Sequence, residues 1–475
     1  MSQIGTETTP VRVAIIGSGP SGFYAADALL KQTDYVIEVD MFDRLPTPYG
    51  LVRGGVAPDH PKIKSVTKVY DKIAAHPHFR LFGHVEFGKD ITHDEIKAHY
   101  HAVIYAVGAQ TDRRLGIPGE DLIGSYAATE FVAWYNAHPD YRDLQFDLSQ
   151  ERVAVIGNGN VAMDVARILA SSYEELRKTD IADYALEALR TSKVKEVYML
   201  GRRGPAQASF TNPELKELGT LSLADVIVKA DEVTLDPLSS AALATTPDAL
   251  AEKNLKTLNE YLQRPIAGKP RQIHLRFLVS PVVIMGTERV EGIRLVKNAL
   301  QQADDGTLRP RATGEFEELP VGIVFRSIGY TGVALPGVPF DAKAGVIPNQ
   351  LGRVIDPATK QTILGEYTVG WIKRGPSGVI GTNKPDAVES VTQLLADIPN
   401  FAELDPTQAV RESVDTLLLV KQPNFTTYSD WSALDQLEIQ NGAAQDRPRL
   451  KYSRVDQMLD AAEAARRARA ASTPV

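Results

Sequence analysis

A short apolar run that ends in a glycine-rich turn and opens into a helical pattern occurs twice in this chain, about 140 residues apart. The first copy is VRVAII, Val11 to Ile16, followed by Gly17-Ser18-Gly19-Pro20-Ser21-Gly22. A helical stretch from about Gly22 to Leu30 and a second apolar run from Val36 to Asp43 come next. The second copy is RVAVI, Arg152 to Ile156, followed by Gly157-Asn158-Gly159-Asn160-Val161-Ala162. Its helix begins in VARILASS, and VKEVYMLGRR supplies the next strand after an insert rich in helix formers. Strand, turn, helix and strand make a βαβ unit. Two such units predict an α/β chain with two Rossmann-like dinucleotide-binding domains, each a three-layer stack of helices on both faces of a sheet. The repeat is one of architecture, not a short-period solenoid.

The two loops carry different chemistry. In the first, Gly17 permits the tight turn, Gly19 lets backbone approach a pyrophosphate, and Gly22 lets the helix pack close to the strand. The phosphates then meet free N–H groups and the positive end of the helix dipole. Ser21 sits inside this loop. Asp43, 21 residues past Gly22, ends the second strand; a carboxylate there accepts from a ribose diol and repels a 2′-phosphate. That site suits FAD or NAD, not NADP. In the second loop Ala162 stands for the third glycine, which the pattern allows. Its partner strand ends in Arg202 and Arg203 instead of an acid, and two guanidiniums at that place can grip the 2′-phosphate of NADP(H). An acid-ended site and an arginine-ended site in one chain imply two different dinucleotides, and FAD with NADP(H) is the natural pair.

Two further apolar runs break at glycine, HAVIYAVGA (His101 to Ala109) and GIVFRSIGY (Gly322 to Tyr330). They read as the crossings between domains. The expected organisation is a discontinuous FAD-binding domain, residues 1–110 and 325–475 with a C-terminal extension, interrupted by an NADP-binding domain at 111–324. Beyond about Asn400 the pattern weakens, and RVDQMLDAAEAARRARAASTPV reads as a solvated terminal helix that frays.

Composition narrows the chemistry. The 475 residues include no cysteine. That excludes a redox-active Cys pair, a thiolate nucleophile and a Cys-held iron–sulfur cluster. A flavin disulfide reductase and a glutamate-synthase-type subunit, which need such cysteines, fall with them. A net charge of −8 argues against a general nucleic-acid binder. No run approaches the roughly 18 apolar residues of a membrane span, and MSQIGTETTP has no basic-then-apolar leader pattern. The expected location is cytoplasmic.

Four segments go further than a dinucleotide pattern: TPYGLVRGGVAPDHPKIKS, GNGNVAMDVARIL, GRRGPAQASFTNPELKEL and GWIKRGPSGVIGTNK. They resemble the adrenodoxin-reductase-type NADPH–ferredoxin reductases, bacterial members above all, over residues 11 to about 395. The resemblance implies an NADPH-dependent flavoprotein reductase, a ferredoxin–NADP(+) reductase. Such an enzyme passes a hydride from NADPH to FAD and then single electrons to a ferredoxin-type iron–sulfur protein. It places Ser21, Asp43, Leu51 and Phe87 on the AMP or ribityl half of FAD, and Trp371 with Gly378, Val379 and Ile380 against the flavin ring. It places Asn158, Gly159, Asn160 and Val161 on the NADP pyrophosphate, Arg202 and Arg203 on the 2′-phosphate, and Arg113 and Glu214 also toward NADP. Asp43 stands where Glu is common in the family. His60, Asp164 and Glu214 are the ionisable candidates for a proton relay beside the hydride path.

An acidic ferredoxin partner would need a basic face on an acidic chain. Between Glu252 and Arg276 there are six Lys and Arg against two Glu, with Lys253 and Lys256 one helical turn apart. Those two lysines are the expected docking residues. The remaining alternatives are a flavin-dependent NADPH oxidoreductase or monooxygenase with another acceptor, and a non-catalytic redox sensor that binds FAD and NADPH.

Overall fold

Strands buried on both faces belong inside a sheet covered by helices. β1 (Val11–Ile16) is buried at every position in the computed structural model, which describes residues 4–472. β1 leads through α1 (Pro20–Lys31) to β2 (Ile37–Asp43), the short α2 (Leu51–Gly54), β3 (Phe79–Gly83), α3 (His93–His99) and β4 (Ala102–Tyr105). An inserted stretch supplies β5 (Ser125–Ala127), β6 (Arg152–Ile156), α4 (Asn160–Ala170), β7 (Glu196–Leu200), α5 (Asn212–Leu218), β8 (Ala224–Val228), α6 (Ala249–Gln263) and β9 (Arg271–Arg276). It continues through three long strands, β10 (Val279–Met285), β11 (Gly292–Gln302) and β12 (Leu308–Leu319), to β13 (Ile323–Arg326). The return stretch carries β14 (Asn349–Gln350), β15 (Arg353–Ile355), β16 (Thr362–Thr368), α7 (Trp371–Arg374), α8 (Asn383–Asp397), α9 (Arg411–Lys421), α10 (Tyr428–Ala443) and α11 (Val455–Ser472).

The chain divides into two compact units. The first comprises residues up to Val56, His60–Thr111 and everything from Tyr330 on; the second comprises Ala57–Asp59 and Asp112–Gly329. Among the described residues the first unit holds a seven-stranded sheet in the order β14-β15-β16-β4-β1-β2-β3. β1 is parallel to β2 and β4, in register Val11↔Ile37 and Val13↔Ala102, and β16 is parallel to β4. The second unit holds a parallel sheet ordered β5-β13-β6-β7-β9-β8 and a separate antiparallel sheet β10-β11-β12. In both of these larger sheets the first strand of the βαβ unit has a parallel neighbour on each side. This order opens a crevice at its C-terminal end.

Three details depart from the sequence expectation. α1 starts at Pro20 and α4 at Asn160, both inside their glycine loops. Pro fits a first helical position, where its missing N–H costs nothing, and Gly159 caps α4 in an extended conformation. The three-stranded antiparallel sheet had no signal, because β12 is exposed at most positions and its residues, LRPRATGEFEEL, form no apolar run. The C-terminal region is not a solvated tail. α11 packs on α10, burying Met458 and Ala462, and Arg466 and Arg469 both donate to Asp430 at 2.6 Å. Asp430 is only 1% exposed. Burial pushes its carboxyl up, and the bonds from Arg466, Thr427 and Arg469 outweigh that and hold it below the usual range. Residues 473–475 of the expected terminal helix lie outside the described residues. Among the described residues no helix is long and apolar enough to cross a membrane.

Candidate functional site

The first glycine loop joins β1 to α1. Gly17 has φ 108°, and a Cβ on it would stand 2.6 Å from the Ala106 carbonyl oxygen. A Cβ on Gly22 would stand 2.3 Å from the Gly17 carbonyl oxygen. Both positions therefore demand glycine for reasons internal to the fold. Gly19 differs: nothing lies within 4 Å of where its Cβ would be. This glycine faces open space, as a loop that admits a pyrophosphate requires.

Asp43 closes β2 beside this loop. Its Oδ2 accepts from the Ser18 N–H at 3.0 Å and the Ser18 hydroxyl at 2.5 Å, and its Oδ1 accepts from the Leu45 N–H at 2.9 Å. A carboxylate has about four acceptor positions, so one remains on Oδ1. Ser21 is buried, and the turn at Gly370, φ 75°, packs on it: a Cβ there would stand 2.6 Å from the Ser21 side chain. That turn opens α7 with Trp371, whose ring centroid lies 5.2 Å from that of Tyr330 and whose indole N–H donates to the Ser377 carbonyl at 3.1 Å. Gly378 follows at φ 80°. The Val379 carbonyl accepts from the Thr382 hydroxyl at 2.6 Å, and Ile380 packs against the core of this unit. Leu51 and Val379 are exposed apolar side chains, 39% and 58%. Phe87 is a core residue, its ring 6.0 Å from Tyr105 and 6.4 Å from His93, both edge-on. His60 also belongs to this unit; it caps the Pro61–Lys64 turn, where its carbonyl accepts from the Lys64 N–H at 3.3 Å.

The second unit repeats the loop with different fittings. Gly157 has φ 136°, and a Cβ there would stand 2.1 Å from the Ser327 carbonyl oxygen. The Asn158 carbonyl accepts from the N–H groups of Ser209 and Phe210, both at 3.1 Å. Its amide nitrogen is buried with no hydrogen-bond partner among the described residues. Beside Gly159 the nearest atom to a Cβ is the Ser209 hydroxyl oxygen at 3.5 Å. Asn160 accepts from the Thr211 N–H at 2.8 Å, and Val161 packs on the core. Arg202 is exposed and Arg203 half-buried. Their carbonyls are fixed by Asn298 at 2.9 Å and by the Leu278 N–H at 3.1 Å. Neither guanidinium makes an ion pair among the described residues. Burial, and then the neighbouring Arg202, push Arg203 below its ordinary pKa. Two like charges side by side without an acid are a strong attractor for an anion. Arg113 is exposed, with its N–H donating to the Gly329 carbonyl at 3.0 Å.

Asp164 and Glu214 come together on a residue that sequence reasoning missed. Arg167 lies on α4 at 2% exposure. Its Nη2 donates to Asp164 at 2.6 Å, its Nη1 to Glu214 at 3.0 Å, and its Nε and Nη2 to Asp59 at 2.6 and 3.0 Å. Glu217 stands 3.6 Å away. Burial opposes the charge on Arg167, and Asp164, Asp59 and Glu214 outweigh it, so its pKa is held well above the ordinary value. A usable signal exists in MDVARIL: an Arg set among Val165, Ala166, Ile168 and Leu169 falls on the buried face of its helix. Three residues earlier stands an Asp to pair with it.

The basic segment after Glu252 needs correcting as a surface. Lys253 and Lys256 are exposed on α6, and Arg264 lies over the Tyr261 ring. Lys269 and Arg271 donate to the carbonyls of Leu221, Leu169 and Ser171. Arg276 is 3% exposed and paired with Glu232 and Glu317, each at 2.7 Å. Arg264 also donates to the Gly219 carbonyl at 3.0 Å, so four of the six cations satisfy acceptors within the chain, and the local excess of positive charge is not all presented to solvent.

Residues 11–208 match the family model described as pyridine nucleotide-disulphide oxidoreductase. With no cysteine in the chain, that likeness is one of nucleotide-binding architecture and not of thiol chemistry. The chain is 46% identical over 458 residues to the NADPH-ferredoxin reductase FprA of Mycobacterium tuberculosis, covering 95% of this chain and 98% of the relative. It is 39% identical to the mitochondrial NADPH:adrenodoxin oxidoreductase of Arabidopsis thaliana, with 95% of each covered. The solved structure of Mycobacterium tuberculosis FprA in complex with NADPH superposes with a TM-score of 0.90, covering 96% of this chain and all of that one. Full-length identity of this order, joined to paired glycine loops in cysteine-free α/β units, means that the chain belongs to the adrenodoxin-reductase-type NADPH–ferredoxin reductase family.

Proposed function

We propose that the chain is an NADPH-dependent flavoprotein reductase that moves a hydride from NADPH to FAD and then single electrons to a ferredoxin-type iron–sulfur protein. One observation carries this reading: two glycine loops of the same kind end in opposite charge, Asp43 in the first unit and Arg202 with Arg203 in the second. The proposal gives FAD to the first unit and NADP(H) to the second. Bound FAD supplies the chemistry, accepting a hydride and releasing electrons one at a time.

The chain's own residues do the rest. Gly17 and Gly19 admit the pyrophosphate, and Gly22 brings the start of α1 up to it. The free acceptor position on Asp43 takes a ribose hydroxyl, while its other bonds hold Ser18 in the loop. Trp371, Gly378, Val379 and Ile380, with Leu51, offer the apolar surface for the ring and its chain. In the second unit Asn158, Gly159, Asn160 and Val161 take the NADP pyrophosphate, and Arg202 and Arg203 take the 2′-phosphate. Arg167 holds Asp164 and Glu214 in place beside that loop. We assign proton handling to these two carboxylates and to His60. Phe87 acts from the core, behind the surface it was expected to line. The proposed setting is the cytoplasm, and the proposed partner is acidic.

The test is stopped-flow reduction of the purified yellow protein by NADPH and, separately, by NADH, followed by mixing with candidate ferredoxins. Acid release is expected to give FAD and not FMN, NADPH is expected to reduce the flavin at least about tenfold faster per unit concentration than NADH, and a ferredoxin is expected to reoxidise it. Recovery of FMN alone, or equal use of the two coenzymes, defeats the reading.

Lys253 and Lys256 are proposed to help dock the partner. They are exposed and make no ion pair among the described residues, although Glu252 and Glu260 are exposed on the same helix. Reversing both charges is expected to slow ferredoxin-coupled cytochrome reduction by about tenfold at low salt and to flatten its salt dependence, because steering acts on association. Ferricyanide reduction, which needs no docking face, is expected to stay at the wild-type rate. Loss of both activities in parallel would place the lysines in the fold or the NADP site instead.

A further inference from the structure

The loop that faces Gly19 is not held by its own sequence. Tyr49 has φ 85°, a left-handed backbone that a tyrosine keeps only when its surroundings impose it. Gly50 follows at φ 49°, so close to the first glycine loop that a Cβ on it would stand 3.0 Å from the Gly19 Cα. The Tyr49 N–H donates to the Ser18 carbonyl at 2.9 Å. This turn therefore lies directly on the segment that admits the pyrophosphate, and it leads into Leu51 and α2.

What imposes the turn comes from the far end of the chain. The Tyr49 hydroxyl donates to Asp71 and lies 3.1 Å from the hydroxyl of Tyr428, which itself donates to Asp71 at 2.7 Å. The Tyr49 ring meets Trp431 edge-on at 5.5 Å. Arg53, at the end of α2, donates twice to Glu438 on α10, at 2.8 and 2.5 Å, and its guanidinium lies 5.1 Å over the Trp431 ring. Glu438 is wholly buried and also accepts from the Tyr452 N–H at 2.8 Å and from Arg449 at 3.3 Å. Lys451 donates to the Arg53 carbonyl at 3.2 Å. Arg53 and Glu438 are 385 residues apart in sequence. A buried bidentate pair of this kind is geometrically exacting, and removing one partner leaves the other charge stranded.

We propose that Glu438 is a positioning residue for FAD. From α10 it locks Arg53, and with it the Tyr49–Gly50 turn, onto Ser18 and Gly19, so that the grip of the first unit on FAD depends on the C-terminal helices. The inference rests on the assignment of FAD to the first unit. It explains why α10 and α11 are docked by charges aimed at buried acids, Asp430 and Glu438, and not left as a solvated extension.

The experiment measures FAD release from the holoenzyme after dilution, read as the rise of free-flavin fluorescence, for Glu438→Gln, Arg53→Lys and Tyr428→Phe. It also measures the upward shift that added FAD produces in Tm. Glu438→Gln is expected to speed release roughly tenfold or more, the loss of about one charge-assisted bond. Arg53→Lys, which keeps the charge but loses the fork, is expected to speed it at least threefold, and Tyr428→Phe to act in the same direction. The FAD-induced Tm shift is expected to shrink in each, since the shift follows ligand affinity. If Glu438→Gln fails to fold, the other two decide. Release within twofold of wild type in Arg53→Lys and Tyr428→Phe overturns the proposal. A fall in Tm with the FAD-induced shift preserved also overturns it, since that is the mark of a merely structural pair. A wild-type protein that carries no FAD would instead overturn the functional reading on which this one rests.

Discussion

Replacing Arg202 and Arg203 together with glutamine is expected to cut kcat/KM for NADPH by about a hundredfold while leaving that for NADH within about threefold. Each charge-assisted bond to a phosphate contributes roughly 1.5–3 kcal/mol. Arg202 is exposed and belongs at the low end of that range, and Arg203 is half-buried. Two contacts at the low end sum to roughly 3 kcal/mol, about two orders of magnitude. The effect should fall on KM, because the 2′-phosphate is held alike in the ground and transition states. The same replacement removes two neighbouring like charges, one of which burial and its neighbour disfavour, so the fold itself should not suffer. Steady-state kinetics with both coenzymes check this, and a double variant that keeps full preference for NADPH shows that the arginines do not read the phosphate.

Replacing Arg167 with methionine is expected to have the largest effect on stability. Removing one partner of a buried ion pair typically costs about 3–5 kcal/mol. Asp164 and Glu214 are buried enough for that figure to apply, with side chains 13% and 10% exposed, whereas Asp59 at 26% and Glu217 at 44% are screened by solvent and add little. The pH dependence gives the sign. Without the guanidinium, carboxylates face one another, and like charge raises their folded-state pKa values above the unfolded ones. A raised folded pKa contributes stability that is present at low pH and lost as pH rises through it. The variant should therefore unfold at a higher temperature near pH 5 than near pH 8. Thermal unfolding across that range decides the matter: a Tm deficit that does not grow with pH would mean that Arg167 acts by packing alone.

The parts of this protein that sequence made legible are those set by local geometry. Gly17 and Gly157 must be glycine because a carbonyl oxygen occupies the space of a Cβ, and such positions leave a fixed spacing behind a strand. The contrast of Asp43 with Arg202 and Arg203 was readable for the same reason: one strand end, one position, two charges. What stayed hidden depends on long-range partners. Arg167 sits in an apolar helix face and draws in Asp59 from 108 residues away. Glu438 falls in a helix with no marked apolar stripe, and nothing near it in sequence announces Arg53. The six cations after Glu252 could be counted but not sorted, since the internal carbonyls and acids that occupy Lys269, Arg271 and Arg276 come from other elements. Phe87, placed on FAD by the resemblance alone and outside the four segments that carry it, turns its ring into the core.

The place of β16 in the first sheet has a consequence for how the chain is made. β16 lies beside β4, yet Thr368 and Tyr105, which are hydrogen-bonded there, are 263 residues apart. A ribosome adding about 5–20 residues per second needs on the order of ten to fifty seconds to bridge that gap. Throughout the interval β4, an apolar strand buried at all four positions in the finished protein, is an edge with unpaired N–H and C=O groups. Such an edge is a template for pairing with the wrong strand. The second unit waits for less of the chain, since its last sheet strand, β13, which pairs with β6 and β5, is complete at Arg326. During synthesis, then, the half of the molecule with the acid-ended loop is open to misassembly while the inserted half is already able to close. Conditions that slow translation past Gly329 lengthen the time during which a chaperone must keep β4 covered.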